Sequence, residues 1–115
     1  MISIYQGNDK NFLFFRKDVN EKIITTRPIS MWFTVKTNAK AESYLFQKNL
    51  INGISQNENG SWNISVSASD TENIKPGRYF CDVKIQDESG RLLTIVKPQD
   101  FIIREVATKV SNQGG

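Results

Sequence analysis

The sequence predicts an all-β fold: an antiparallel sandwich of about seven to nine short strands with one short helical turn near residues 70–75. Three observations lead there. Several stretches alternate apolar and polar residues with a period of two, as strands with one buried face do. Turn signals built from Gly, Pro, Asn and Asp recur about every 8–12 residues. No long amphipathic helical pattern occurs anywhere in the 115 residues. A closed barrel is the alternative architecture for the same strands.

The elements follow in order. Ile2 to Tyr5 reads as a short strand, with Ile2 and Ile4 on one face, and Gln6-Gly7-Asn8-Asp9 as a turn. Asn11 to Arg16 is a strongly apolar strand, with Phe12 and Phe14 on one face and Leu13 and Phe15 on the other. Two apolar faces point to a strand in the middle of a sheet, or to one face meeting a partner. Asp18 to Lys22 is a hairpin-like connection and Ile23 to Thr26 a weak return strand, which Pro28 breaks or confines to an edge. Ile29, Met31, Phe33 and Val35 alternate with Ser30, Trp32, Thr34 and Lys36. Residues 37–43 form a loop or a helical turn, and Tyr44 to Lys48 a short strand. Asn52-Gly53 and Asn59-Gly60 favour tight turns with positive φ, and Ile51 and Ile54 are expected to tack this segment to the core.

The stretch Gly60–Gly90 organises the chain. Trp62, Ile64, Val66 and Ala68 alternate with polar residues, and Tyr79, Cys81, Val83 and Ile85 define a second strand. Between them, residues 69–77 are too polar for a strand and too long for a tight hairpin. A single helical turn capped by Ser69 or Asp70, followed by Pro76-Gly77, fits this segment. A strand, a short helical crossing, Pro-Gly, and a strand with Tyr near its start make the E-to-F passage of an immunoglobulin-like sandwich. Asp87 to Gly90 then turns the chain, Arg91 to Val96 returns, Pro98 interrupts, and Phe101 to Arg104 is the last strand. Residues 1–106 are read as one such domain and 107–115 as a flexible polar tail.

Composition narrows the chemistry. There is no histidine, which removes His-ligated zinc, Ser-His-Asp triads and Cys-His pairs. The single cysteine, Cys81, lies in the apolar register of its strand and reads as a small buried side chain. Asp70, Glu72, Asp82, Asp87 and Glu88 could supply oxygen ligands, but calcium needs six to eight converging oxygens, and caps and turns account for these acids better. No phosphate-binding glycine loop and no facing carboxylate pair is present. Neither a catalytic, nor a metal, nor a cofactor site is predicted. Fifteen Lys plus Arg against twelve Asp plus Glu leave +3. The lysines are scattered among acids, which argues against nucleic acid as a partner. No apolar run of about 18 residues exists, so no membrane partner is expected. Residues 1–7 lack a secretory pattern.

In sequence order the segments Gln6-Gly7 with Asp9, Phe33-Thr34-Val35-Lys36, Phe46-Gln47-Lys48, Gly60-Ser61-Trp62, Asp70-Thr71, and Gly77-Arg78-Tyr79 with Asp82-Val83 resemble the N-terminal immunoglobulin-like domain of phage baseplate upper proteins. The likeness runs from Tyr5 to about Arg104, and the order and spacing of the segments carry it. It implies a virion structural protein of a phage or prophage tail, made in the bacterial cytoplasm and assembled with other tail or baseplate proteins. Members of that family often continue past this domain into a longer appendage, so any receptor-binding or trimerising part is expected to be missing here or to reside in a partner.

Four residues are candidates for an interface: Leu13 and Phe15 on the second face of their strand, Trp32 out of register with Met31 and Phe33, and Phe80 out of register with Cys81. Trp32 alternatively packs under the loop at 38–43. Tyr79, two residues before Cys81, is the candidate tyrosine corner, its hydroxyl reaching backbone near Asp70 to Ile74. The function expected is non-enzymatic assembly through protein–protein contact, as a homo-oligomer or docked to other tail proteins. The alternative is a carbohydrate-binding module using Trp32, Tyr44 or Phe80.

Overall fold

The structure, a computed structural model, describes residues 1–108; positions 109–115, most of the expected tail, lie outside the described residues. The fold is all-β with one short helix. Its strands are β1 (Ile2–Tyr5), β2 (Lys10–Phe14), β3 (Arg16–Lys17), β4 (Ile23–Ile24), β5 (Ser30–Lys36), β6 (Phe46–Asn49), β7 (Ile54–Gln56), β8 (Trp62–Val66), β9 (Gly77–Gln86) and β10 (Leu92–Arg104). Helix α1 (Ala68–Thr71) lies between β8 and β9. Among the described residues ten strands stand where about seven to nine were expected, two of them only two residues long.

A five-stranded sheet has the order β1-β10-β9-β5-β6 and a three-stranded sheet the order β2-β8-β7. All pairs are antiparallel except β1 with β10, which is parallel. The two sheets share one core. Met31, Phe33, Val35, Cys81, Val83, Ile85, Phe101 and Ile103 come from the large sheet, and Ile54, Trp62, Ile64 and Val66 from the small one. Each set follows the alternation of its strand, because every second side chain on a strand points to the same face.

Five expectations are corrected. The strand at 11–16 ends at Phe14 and lies at the edge of its sheet, not the middle. Its second apolar face is exposed, with Leu13 67% and Phe15 41% accessible. Helix α1 spans 68–71, with Ser67 as its N-cap rather than Ser69 or Asp70. Asp70 is instead the third helical residue, and its Oδ2 accepts from the Ser67 N–H at 2.7 Å, satisfying a donor that the first turn leaves free. Pro98 does not separate two strands. β10 runs through it with register shifts between Thr94 and Val96 and between Val96 and Gln99, a bulge being where a sheet tolerates proline. Ile51 is 98% exposed, and Leu50 packs on the core in its place. The strand expected at 44–48 covers 46–49, so Tyr44 and Leu45 stay in the preceding loop and are exposed.

Trp62 is the largest fully buried side chain, at 0% accessibility. It stands opposite Phe14 on β2 and Gln56 on β7, and the Arg27 guanidinium lies 6.0 Å from its ring. Its truncation would leave a large void in the smaller sheet. Trp62→Ala is expected to cost about 3–5 kcal/mol, read as a lowered urea midpoint with unchanged slope.

Candidate functional site

At the edges of the sheets, backbone donors and acceptors are unpaired. β6 closes one side of the large sheet, and its Lys48 points inward. The Lys48 ammonium lies 2.7 Å from Asp70 Oδ2 on α1, with both side chains largely covered. Burial pushes the Asp70 carboxyl upward, but the hydrogen bonds from Lys48 and Ser67 outweigh it and hold the pKa below the ordinary aspartate value. The inward lysine also dictates a glycine. A Cβ on Gly53, whose φ is +101°, would stand 2.6 Å from Lys48 Cδ. β7, at the edge of the small sheet, has three residues. β1 has four and pairs with β10 only at Phe101–Arg104. The rest of β10 therefore carries a free edge, interrupted by its bulges and Pro98.

β2 is different. It pairs with β8 alone, and Lys10, at its start, is its single charged residue. Phe12 and Phe14 pack on the core while Leu13 is exposed on the outer face. Beside β2 the sheets open into a hollow of about 340 Å³, whose walls include Ile2, Phe12, Phe14, Val83, Val96 and Gln99. The bulged stretch of β10 forms its far wall. The Lys10 ammonium donates to the Ser3 carbonyl at 2.8 Å and lies 5.5 Å from the Phe12 ring.

The four residues named as interface candidates divide between two faces. Leu13, with Phe15 one residue past the strand, belongs to the small sheet. Trp32 and Phe80 lie on the outer face of the large sheet, on the adjacent strands β5 and β9. Trp32 pairs with Lys84 and Phe80 with Lys36, so the two rings stand four residue steps apart, roughly 14 Å along the sheet. Trp32 is half-buried and borders a hollow with Leu50 and Ile51, which no residue of the loop at 38–43 lines. Phe80 borders a separate small hollow with Lys36, Ala39 and Pro98, and Tyr44 lines neither. The three aromatics considered for sugar stacking are thus not gathered into one cleft.

The turns at the Lys10 end of β2 are joined by polar contacts. The Gly7 N–H donates to Thr71 Oγ1 at 2.8 Å, the Gln6 amide donates to the Ile74 carbonyl at 2.7 Å, and the Ala68 N–H donates to Asp9 Oδ1 at 2.7 Å. The segments Gln6-Gly7-Asp9 and Asp70-Thr71 therefore meet in space. The Tyr79 hydroxyl donates to the Lys75 carbonyl, one residue beyond the window expected for it, and Asp70 bonds Lys48 and Ser67 instead. At the β9–β10 turn, Asp87 accepts from the Ser89 N–H and hydroxyl, the Arg91 N–H and Arg91 Nε. The Ser89 hydroxyl, with the Arg91 backbone next, holds its carboxyl down at about 2. Arg16, buried, reaches across to this turn, donating to Glu88 Oε1 at 3.0 Å and the Thr26 carbonyl at 3.1 Å. Burial pushes the Cys81 thiol up to about 12.

The sequence carried no signal for the Lys48–Asp70 and Arg16–Glu88 pairs, whose partners are 22 and 72 positions apart. The hollow was also missed, although Pro98 inside a strand pattern is the kind of residue that marks a bulge. Among the described residues, no group of three or more Cys, Asp or Glu could hold a metal ion, and no helix is long and apolar enough to cross a membrane. No family model, curated protein or solved structure matches the chain.

Two tests address the turns. Tyr79→Phe, which removes only the bond to Lys75, is expected to cost about 1 kcal/mol, and Tyr79→Ala about 3 kcal/mol or more. Equal melting temperatures for Tyr79→Phe and wild type would remove the corner's role. For Asp87 the folded pKa lies below the unfolded value of about 3.9. Its contribution is thus present above about pH 4 and lost as pH falls toward about 2. Asp87→Asn should flatten the fall in stability across that window, measured by urea unfolding at several pH values.

Proposed function

We propose that this chain is an immunoglobulin-like assembly domain of a phage or prophage tail, located in the virion and acting through complementary surfaces rather than catalysis. The observation that carries the reading is β2: an edge strand paired with β8 alone, with an exposed leucine and an open hollow beside it. A sheet edge of this kind is a template for strand addition, in which backbone bonds supply affinity and alternate side chains supply specificity. The other edges are short, bulged or guarded by an inward charge, which are the devices that discourage pairing.

The immunoglobulin-like assignment draws support from the strand order of the two sheets, the helical crossing between β8 and β9, and the Tyr79 bond to the backbone before it. The tail assignment rests on the resemblance of ordered segments. Two of those segments, 6–9 and 70–71, touch one another, which gives their co-occurrence a structural reason.

The test is incorporation. The chain should be found in gradient-purified phage particles from a strain that encodes it, and immunogold should place it on the tail. Particles free of the chain would sink the tail reading. Leu13→Glu with Phe15→Glu alters exposed side chains, so each change should shift stability by no more than about 0.5 kcal/mol, while incorporation is lost. Normal incorporation of that folded variant would show that β2 is not the surface used.

A further inference from the structure

We infer that β2 pairs with β2 of a second copy of this chain, antiparallel, about a two-fold axis through Phe12. The inference rests on the reading that β2 is the assembly surface, and it names the occupant of that surface. A two-fold contact brings the same patch from both subunits together, so the patch must complement itself. β2 does so in one arrangement.

Direction follows from charge. A parallel pairing in register would set Lys10 against Lys10 of the second copy, and like charges directly opposite are destabilising. The antiparallel pairing sends the two ammonium groups to opposite ends, about 14 Å apart for four residue steps. Each lysine then faces Phe14 of the second copy, and it already lies against a ring in its own subunit, Phe12 at 5.5 Å.

Register follows from the faces and the length of the strand. A shift of one residue would turn the core-facing side chains of one copy toward the outer side chains of the other, so only every second register is open. With the axis at Phe12, all of Lys10–Phe14 in each copy lies opposite strand residues of the other. With the axis at Leu13, only residues 12–14 do, and Lys10 meets Arg16 of the second copy. The Phe12 axis gives the longest ladder and avoids a pair of cations.

The consequences match what is exposed. On the outer face, Leu13 lies beside Asn11 and diagonal to Leu13 of the second copy, which covers the exposed apolar side chain of the strand. On the inner face, Phe12 meets Phe12 and the two hollows abut across the axis. The small sheets merge into one of six strands, β7-β8-β2 followed by β2-β8-β7 of the second copy. The bulged edge of β10, on the other side of the hollow, is left without a partner.

Cysteine crosslinking of the full chain tests this register. Asn11 and Leu13 are opposite across the axis, whereas Asn11 with Asn11 and Leu13 with Leu13 are diagonal, at a spacing beyond disulfide reach. The native Cys81 is buried in β9 and takes no part. An equimolar mixture of the Asn11→Cys and Leu13→Cys variants, mildly oxidised, should give several-fold more covalent dimer than either variant alone. Unmodified protein should show twice the 13.1 kDa chain mass by light scattering, which keeps the test valid if Asn11→Cys disturbs its bond from Ser65. A wild-type mass equal to one chain at every concentration, or crosslinking as strong in the separate variants as in the mixture, would overturn the inference. A crosslinked dimer in a chain missing from purified particles would leave the pairing standing and remove the tail reading. A monomer whose incorporation still depends on Leu13 and Phe15 would do the reverse and assign the edge to a different tail protein.

Discussion

The Phe33 ring meets rings from both layers of the fold: Phe12 of the small sheet at 6.4 Å, and Phe46 and Phe101 of the large sheet at 6.3 and 6.1 Å. Its neighbours on β5, Met31 and Val35, are fully buried with it, each such side chain contributing about 1.5–3 kcal/mol of burial. The three pairs are tilted rather than stacked face to face, at centroid spacings within the range aromatic pairs favour. Because Phe33 sits on a strand flanked on both sides, and Phe12 on one flanked on one side only, this junction fastens the exposed edge of the small sheet to the middle of the large one. β2 can therefore lack a second neighbour and still hold its shape.

A second set of contacts, polar rather than apolar, fixes the crossing between β8 and β9. A four-residue helix cannot sustain itself, since nucleation costs more than its few hydrogen bonds return. Here it is held from outside, by Asp9 and Thr71 to the 6–9 turn and by Asp70 to Lys48. A covered ion pair of this kind is weak evidence of net stability, because desolvating both charges offsets much of their attraction. Its structural effect is clearer. It turns Lys48 inward on β6 and so makes that edge a poor template for a foreign strand.

These contacts explain what could be read in advance and what could not. Alternation is local, so Met31-Phe33-Val35, Trp62-Ile64-Val66 and Cys81-Val83-Ile85 were legible as core faces, and Asn52-Gly53 and Asn59-Gly60 as turns with positive φ. The helical crossing was legible in kind, but its cap was placed two or three residues late, because Ser67, Ser69 and Asp70 are all good caps. Apolar content alone left β2 undecided between the middle of a sheet and a face meeting a partner, and the structure excludes the first. A strand with two apolar faces looks the same at the centre of a sheet and at an edge awaiting a partner. Ile51 was misjudged for a related reason, since an isoleucine in a turn follows the turn's geometry rather than its own hydrophobicity. The candidate site was half legible: Leu13 and Phe15 were singled out, but the hollow beside them depends on bulges in a strand some 80 residues away, which no local pattern encodes.

Not every exposed apolar side chain calls for a use. Ile51 and Val19 are almost wholly accessible, and each stands in a turn, where scattered exposures are ordinary. Leu13 is another matter. The core requires Phe12 and Phe14 of β2, and it would be served equally by a threonine or lysine between them. Leu13 pairs across the ladder with Asn63, and Asn11 beside it accepts from the Ser65 hydroxyl, so the outer face around it is polar. A leucine there, on an edge that is neither bulged nor guarded by an inward charge and beside a largely apolar hollow, adds little to the isolated domain. It gains a contact only when something lies along β2, and a strand that already alternates aromatic and aliphatic residues is the surface that such a contact would need.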